Sequence, residues 1–475
     1  MSPAHRVPLA VDLDGTLLRS DLLAESLLVL ARNRPLRLLL LPVWLLQGRA
    51  ALKWKVAQEA SLDIHTLPWR SELLAWLNEQ KHEGRSLVLA TAANAAPAQC
   101  VAADLGLFDA VYASDGRTNL SGISKRDRLV AEFGERGFDY VGNAWRDMAV
   151  WEAARSAIVV NPGTRLLRAV AATTPVERVF IDGQGRLRNL LQAMRPWQWV
   201  KNFLVYLPLI AAHKLYDAEL LGRAAAAFAA FTLCAAGVYL LNDLLDLADD
   251  RRHPHKRSRP LAAGQVGIAA AAGLSLLLIA AALGTGFAIH PFVSETLAFY
   301  CLANLGYSIG LKNKPILDVL ILAAGYAARL IAGGIAVHIT LSAWLLAFCM
   351  FLFFSLALIK RYAELIVLHP RDGVSTHARG YLFDDLGIIA AQGIASGYIA
   401  VLVLALYTTT PMVHALRGRD PLYWLICLLL LYWISYLWLM VDRGRIGDDP
   451  VAFAIRDRTS QVLVAVAVLA ALAVT

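Results

Sequence analysis

The sequence predicts two modules in one chain, an N-terminal α/β domain and a C-terminal all-α polytopic membrane domain. Three observations carry this. The chain has 475 residues and is 58% hydrophobic, with the apolar content concentrated after about position 196. Before about position 180, short apolar strands at 9–13, 87–90 and 157–160 alternate with helical stretches, as in a sheet covered by helices. Residues 242–260 crowd four aspartates and five Lys or Arg residues between two long apolar stretches. A bilayer accepts such a cluster only around something polar that it binds, so the cluster points to an active site.

The first module is assigned to residues 1–180. Its opening strand ends in Asp12-Leu13-Asp14-Gly15-Thr16, two alternate aspartates before a glycine turn. One carboxylate can attack phosphorus while the other moves the proton, which suits in-line phosphoryl chemistry. This strand and turn resemble the first motif of the haloacid dehalogenase superfamily of phosphatases, whose fold is a Rossmann-like α/β domain. The resemblance makes Asp12 the nucleophile, Asp14 the general acid/base and Thr91 a phosphate ligand, with Lys125 neutralising the phosphoryl oxygens. The fourth motif should offer acids for Mg²⁺ after another strand. Here Asn143 and Asp147 stand in that place, and with Asp12 and Asp14 they form the expected metal set. Asn143 departs from the usual Asp, which removes one negative charge and admits a degenerate scaffold as the alternative to an active hydrolase.

Helical sequence between the first two motifs, roughly 18–85, is expected to form a cap. It contains an apolar run at 36–46 that is too short to cross a bilayer. The run suits either a membrane-facing surface that recruits lipid-linked phosphate or an ordinary buried cap helix. A linker is expected at 181–190, around Gly183-Gln184-Gly185.

Residues 191–475 form the second module. Hydropathy places spans near 199–212, 222–245, 264–286, 291–310, 316–337, 341–359, 386–408, 421–440 and 459–475, about nine helices. One set of alternating loops carries fifteen Lys and Arg residues, among them Arg251, Lys312, Lys360, Arg371, Arg379 and Arg443; the other has Lys214, Arg417 and Arg419. The positive-inside rule then puts the N-terminal domain and the acidic cluster in the cytoplasm and the C-terminus outside an inner, cytoplasmic membrane. No cleavable secretory signal is expected. The net charge of +8 follows from this loop bias and calls for no nucleic acid. The five cysteines show no ligand spacing, and no function is assigned to them.

On a helix, Asp243, Asp246 and Asp250 fall at i, i+3 and i+7 and project from one stripe, a hard-oxygen set suited to Mg²⁺ that would hold a diphosphate. Asp249 points about 120° away and reads as a solvated neighbour. Asn242, His253, Lys256, Arg257 and Arg259 add polar and cationic donors for phosphate. A charged loop that only orients the helices is the plain alternative, but orientation needs no aspartates at helical spacing. Further polar groups sit where lipid alone would exclude them. Arg195, Lys201 and Asn202 bracket the first span, where an interfacial anchor is the alternative. Asp318 and Arg329, eleven residues or three turns apart, share a face and could line one cavity. Lys360, Arg361 and Glu364 close the sixth span.

Together, Asn242-Asp243-x-x-Asp246-x-x-x-Asp250-x-x-His253-Pro254-x-Lys256-x-x-Arg259-Pro260 and the helix pattern resemble the UbiA prenyltransferase superfamily over residues 190–475. Members hold Mg²⁺ and a prenyl diphosphate on two Asp-rich motifs, the second normally DxxxD. Here that motif keeps Asp318 but has Leu322 four residues on. This departure, with the basic residues above, is similar to the decaprenyl-phosphate phosphoribosyltransferase branch. The resemblance implies Mg²⁺-dependent transfer of 5-phosphoribose from phosphoribosyl pyrophosphate to a polyprenyl phosphate. The fusion adds the expectation that the N-terminal domain then removes the 5-phosphate, giving polyprenyl phosphoribose, an arabinan precursor. Two alternatives are expected to leave different traces. A prenyltransferase would move a polyprenyl group from its diphosphate to an aromatic or other small acceptor, and a lipid-phosphate carrier would give flux without bond cleavage.

Overall fold

The computed structural model describes residues 7–182, 185–254, 256–367, 380–409, 422–447 and 449–473. Arg371, Arg379, Arg417 and Arg419 of the loop count, and Gly183 and Gln184 of the expected linker, lie outside the described residues. The chain forms two compact units. One comprises Met1–Ala193 with Asp243–Gly273, the other Met194–Asn242 with Leu274–Thr475.

The first unit is built on a six-stranded parallel sheet, β1 (Leu9–Val11), β2 (Leu87–Asn94), β3 (Ala110–Ser114), β4 (Asp139–Gly142), β5 (Ala157–Val160) and β6 (Val176–Phe180), in the order β3-β2-β1-β4-β5-β6. β1 is the central strand, pairing Leu9 with Leu87 on one side and with Asp139 on the other. Its Leu9, Ala10 and Val11 are fully buried because helices cover both faces, which is why the strand reads as a continuous apolar run. β6 escapes the sequence reading because the exposed Glu177 and Arg178 interrupt it, and β3 because it is short and its first four residues are only half buried. All strands point one way, so the segments after β1, β2 and β4 emerge at one sheet edge, the place where open parallel sheets bind ligands.

Within the expected cap, the helices Leu22–Asn33 and Arg49–Glu59 pack around Leu30, Trp44 and Val56. The later helix Ser71–His82 instead buries Leu73, Trp76 and Leu77 against the sheet. In the apolar run, Trp44 is buried while Leu36, Leu39 and Leu46 are 80%, 75% and 88% exposed, so the run presents an apolar surface and fills little core.

The segment Asp243–Gly273 joins this unit, although sequence placed it with the membrane module. Its Leu244, Leu247, Leu261 and Ile268 cluster with Ala24, Leu28 and Leu190. Arg251 makes a bidentate contact with Glu25 at 2.7 and 3.0 Å, and Arg252 and Asp249 pair with Asp63 and Arg32. The second half of the expected linker is helical, in Arg186–Ala193.

The second unit is helical. Among the described residues six helices are long and apolar enough to cross a membrane: Ala218–Leu245, Ile268–Ile289, Leu317–Ala336, Ala343–Val367, Phe383–Thr408 and Trp424–Asp442. Three of the nine expected spans fall outside this set. The segment expected at 199–212 is a 3₁₀ stretch, Pro196–Tyr206, followed by a single turn, Leu207–Ala211; prolines open both. Pro291–Ile309 is a 19-residue helix with Glu295 and Asn304 among its residues, and Arg458–Ala473 has only 16. Close backbone approach makes Gly333 obligatory, since a Cβ there would lie 2.1 Å from the Val205 carbonyl oxygen. This contact seats Leu317–Ala336 against the 3₁₀ stretch.

Candidate active sites

In the first unit, Asp12 follows β1, Thr91 lies in β2, and Asn143 and Asp147 follow β4, all at the same sheet edge. Lys125 comes from the helix Ile123–Phe133. Its Nζ donates to Asp12 Oδ1 at 2.7 Å and to the Tyr140 hydroxyl at 2.9 Å. That hydroxyl donates to Asp147 Oδ1 at 3.0 Å, and Thr16 donates to Asp12 Oδ2 at 3.1 Å. Thr91 is fully buried, with Oγ1 accepting the Ala93 N–H.

The electrostatics follow from burial. Desolvation raises the Asp12 carboxyl above its ordinary value, only partly opposed by the Lys125 charge. Burial alone would lower Lys125, but the Asp12 and Asp147 carboxylates outweigh it and hold the ammonium above its usual range. Asp14 is pushed up to about 8, first by burial and then by the charge of Asp21, against the Leu22 N–H it accepts. A carboxyl poised there can hold a proton near neutrality.

The structure gives Asn143 and Asp147 different places. Asp147 Oδ2 accepts the backbone N–H groups of Asn143 and Ala144 at 3.1 and 3.0 Å, so this carboxylate braces the loop. Asn143 packs its amide against Gly15, whose φ of +75° and whose missing Cβ permit the approach. Sequence reasoning missed Tyr140 and Lys53. Lys53 donates from the cap to the Ala92 carbonyl at 2.6 Å and to Asn119 Oδ1 at 3.0 Å, with burial holding its ammonium below the usual value. A tyrosine inside an apolar strand and a lysine in a basic helix carry no local signature.

The acidic cluster departs from a single helical stripe. The helix Ala218–Leu245 stops before Asp246, which caps the short helix Leu247–Arg252, so the three aspartates do not sit on one continuous helix. Asp243 and Asp250 nevertheless converge, both buried and both accepting from Arg259 Nη1 at 3.3 and 2.5 Å. His253 ends the short helix and accepts the Lys256 N–H at 3.4 Å. Asp249 is half exposed, as expected of a solvated neighbour. Among the described residues no three His, Cys, Asp or Glu side chains stand ready-grouped for a metal ion. Two buried carboxylates that already share one cation are, however, a hard-oxygen pair of the kind Mg²⁺ accepts, and Arg259 holds the positive charge between them.

In the second unit, Arg195, Lys201, Tyr326, Arg329, Lys360 and Asp449 line one cavity of about 140 Å³. Four of these are cations expected from sequence. Arg329 is 4% exposed; its Nε donates to Asn202 Oδ1 at 2.8 Å, and its guanidinium lies 4.8 Å from the Phe231 ring centroid. Asn202 is completed by the Thr232 hydroxyl at 3.0 Å, and Arg195 stacks over Tyr239 at 5.4 Å. Lys201 pairs with Asp449, a residue the sequence reading missed because it lies far along the chain in a polar loop. Asn242 accepts from the Ser308 hydroxyl at 2.7 Å.

Asp318 does not join Arg329 in this cavity. It is fully buried against Arg361 at 2.5 Å and accepts the Tyr381 hydroxyl at 2.7 Å. The shared helix face is real, but the first turn of Leu317–Ala336 is taken up by this ion pair, so Asp318 and Arg361 sit together and apart from the cavity lining.

The UbiA prenyltransferase family model matches residues 204–460, more than half of the chain. The uncharacterized protein y4nM of Sinorhizobium fredii is 31% identical over 459 residues, covering 96% of this chain and 89% of that protein, so the similarity runs through both units. The nodulation protein NoeC of Azorhizobium caulinodans is 35% identical over 277 residues, 58% of this chain and 89% of its own. Decaprenyl-phosphate phosphoribosyltransferase of Mycolicibacterium smegmatis is 32% identical over 293 residues, 58% of this chain and 88% of its own. With these matches the chain belongs to the UbiA prenyltransferase family.

Proposed function

We propose that the chain transfers 5-phosphoribose from phosphoribosyl pyrophosphate to a polyprenyl phosphate, and that its N-terminal α/β domain is a haloacid dehalogenase-type phosphatase that removes the 5-phosphate from the product. The observation that carries the first step is the cavity with Arg195, Lys201, Arg329 and Lys360. A prenyl diphosphate and a neutral acceptor need cations for one phosphorylated group, whereas this reaction brings together a lipid phosphate and a phosphorylated, diphosphate-bearing sugar. The decaprenyl-phosphate phosphoribosyltransferases among the relatives support the same choice.

In the transfer, the bond between the anomeric carbon and the pyrophosphate oxygen breaks as a lipid phosphate oxygen bonds to that carbon, and pyrophosphate leaves. The nucleophile is already anionic, so no strong base is needed. Asp243, Asp246 and Asp250 would hold Mg²⁺, which supplies neutralisation of the leaving diphosphate. His253, Lys256 and Arg259 would seat its oxygens, with Arg259 withdrawing from the carboxylates. Arg329, held in place by Asn202, stabilises charge in the cavity. Asp318 and Arg361 hold the helices that carry it.

In the second step Asp12 attacks the 5-phosphorus and the sugar oxygen leaves with the proton of Asp14. Water then releases phosphate from the aspartyl phosphate. Thr91 and Lys125 would hold the phosphoryl oxygens, and Asp12, Asp14 and Asn143 would be the oxygen ligands for Mg²⁺, which would neutralise the phosphoryl group. Both active faces are assigned to the cytoplasmic side of the inner membrane, with the C-terminus outside.

The test is to give the purified chain labelled phosphoribosyl pyrophosphate and decaprenyl phosphate. Pyrophosphate release and a labelled lipid are expected, with the 5-phosphate retained only in Asp12→Asn. Label that stays in the aqueous phase while a polyprenyl diphosphate is consumed with an aromatic acceptor overturns the first step. A wild-type lipid product that keeps its 5-phosphate as fully as the variant's overturns the second.

A further inference from the structure

The first unit contains a cavity of about 760 Å³ beside the Asp12 loop. Gly15 and Asn143 line it at the sheet edge, Arg19 and Asp182 line it further on, and Asn189 and the 264–267 loop complete it. By contrast, the space between Asp14, Lys53 and Asn94 on the cap side measures only about 20 Å³, room for a water and no more. Of these two spaces, only the one past Gly15 and Asn143 has room for a sugar phosphate beside the Asp12 loop.

Two polar atoms in this cavity lack partners among the described residues. Asn189 is 4% exposed and its Oδ1 accepts from none of them, and Arg19 Nε is buried and donates to none. Asn189 needs a donor and Arg19 an acceptor, and a buried polar atom left unmatched is costly. A phosphate ester dianion only accepts and leaves Asn189 unsatisfied, whereas a sugar hydroxyl both donates and accepts and can meet both atoms. Arg70 is already engaged, donating to the Thr16 and Gly15 carbonyls at 2.9 and 3.1 Å and pairing with Asp182, so it stiffens the wall.

We propose that this cavity binds the hydroxyl-bearing part of a sugar phosphate ester whose phosphate sits at Asp12, with Asn189 and Arg19 reading the hydroxyls. The assignment rests on the phosphatase reading and adds to it the residues that read the sugar and the side of entry. It also gives a role to a helix that the sequence presents as a linker.

The probe is ribose 5-phosphate, titrated calorimetrically into the full-length Asp12→Asn protein in detergent, with inorganic phosphate as reference. Ribose 5-phosphate is expected to bind at least tenfold more tightly than phosphate. Asn189→Leu should lower that ratio about tenfold. Gly267→Leu, at a position where a Cβ meets nothing within 4 Å, should fill the cavity and lower it as well without disturbing the fold. Equal affinity for the two probes, or an unchanged ratio in both variants with unaltered melting, overturns the assignment. If the wild type releases phosphate from no ester, the phosphatase reading falls, and the affinity ratio still decides the cavity.

Discussion

The Lys125 ammonium lies 2.7 Å from Asp12 Oδ1, and neither side chain is more than a tenth exposed. A buried pair of this kind is costly to break from one side, because the remaining charge has neither water nor partner. Lys125→Met should therefore destabilise the first unit by about 3–5 kcal/mol, whereas Asp12→Asn with Lys125→Met should cost less than the two single changes summed. Melting of the detergent-purified proteins, followed by tryptophan fluorescence, gives both numbers. Additive losses would mean that the pair is not coupled.

Asp14 gives the metal-free protein a pH dependence with a definite sign. Its carboxyl is pushed from the ordinary 3.8 up to about 8, so the folded chain holds a proton that the unfolded chain has released. The stability contributed by that proton is fully present below about 4 and is lost as pH rises toward 8. In EDTA the melting temperature should fall across this window. Asp14→Asn, neutral at every pH, should make the slope shallower, the residual slope belonging to Asp12. An unchanged slope in the variant would assign the effect to other groups.

Much of this molecule is legible in its sequence, for reasons that particular residues make clear. Leu9, Ala10 and Val11 announce a central strand because both faces are covered, and Asp12 and Asp14 follow it without ambiguity. Arg195, Lys201, Arg329 and Lys360 are visible because a cation inside an apolar run has few explanations, and the structure gathers them on one cavity. What stays hidden depends on pairing across the chain. Asp449 is an ordinary loop aspartate until Lys201 is seen beside it. The separation of Asp318 from Arg329 cannot be read from an eleven-residue spacing, because Arg361 and Tyr381 decide it. The break at Asp246 is likewise invisible, since 242–252 carries no proline or glycine to announce it.

The acidic cluster separates two aspartates that adjoin in sequence. Asp250 is buried against Arg259, whereas Asp249 is half exposed and pairs with Arg32. Asp249→Ala should change stability by less than about 1 kcal/mol and leave pyrophosphate release near wild type, because exposed pairs contribute little. Asp250→Ala should abolish release. EDTA should silence the wild-type chain and added Mg²⁺ restore it, read by a coupled pyrophosphate assay. Turnover that survives chelation would remove the metal from the mechanism.

Arg329 and Arg361 are both buried arginines of the second unit, yet only Arg329 lines the cavity. Arg329 projects its guanidinium among aromatic rings and is held by Asn202, an arrangement that fixes a charge where substrate oxygens would lie. Arg361 is taken up by Asp318 and Glu364. Arg329→Met should lower kcat about 10²- to 10³-fold, the scale of one lost preorganised donor. Arg361→Met leaves the Asp318 carboxylate buried without its cation and should cost about 3–5 kcal/mol of stability. Melting temperature and kcat measured together on each variant distinguish the two roles: the first should lose turnover at a near-normal melting point, and the second should lose the fold first. A reversed pattern would move the site from Arg329 to the Asp318 pair.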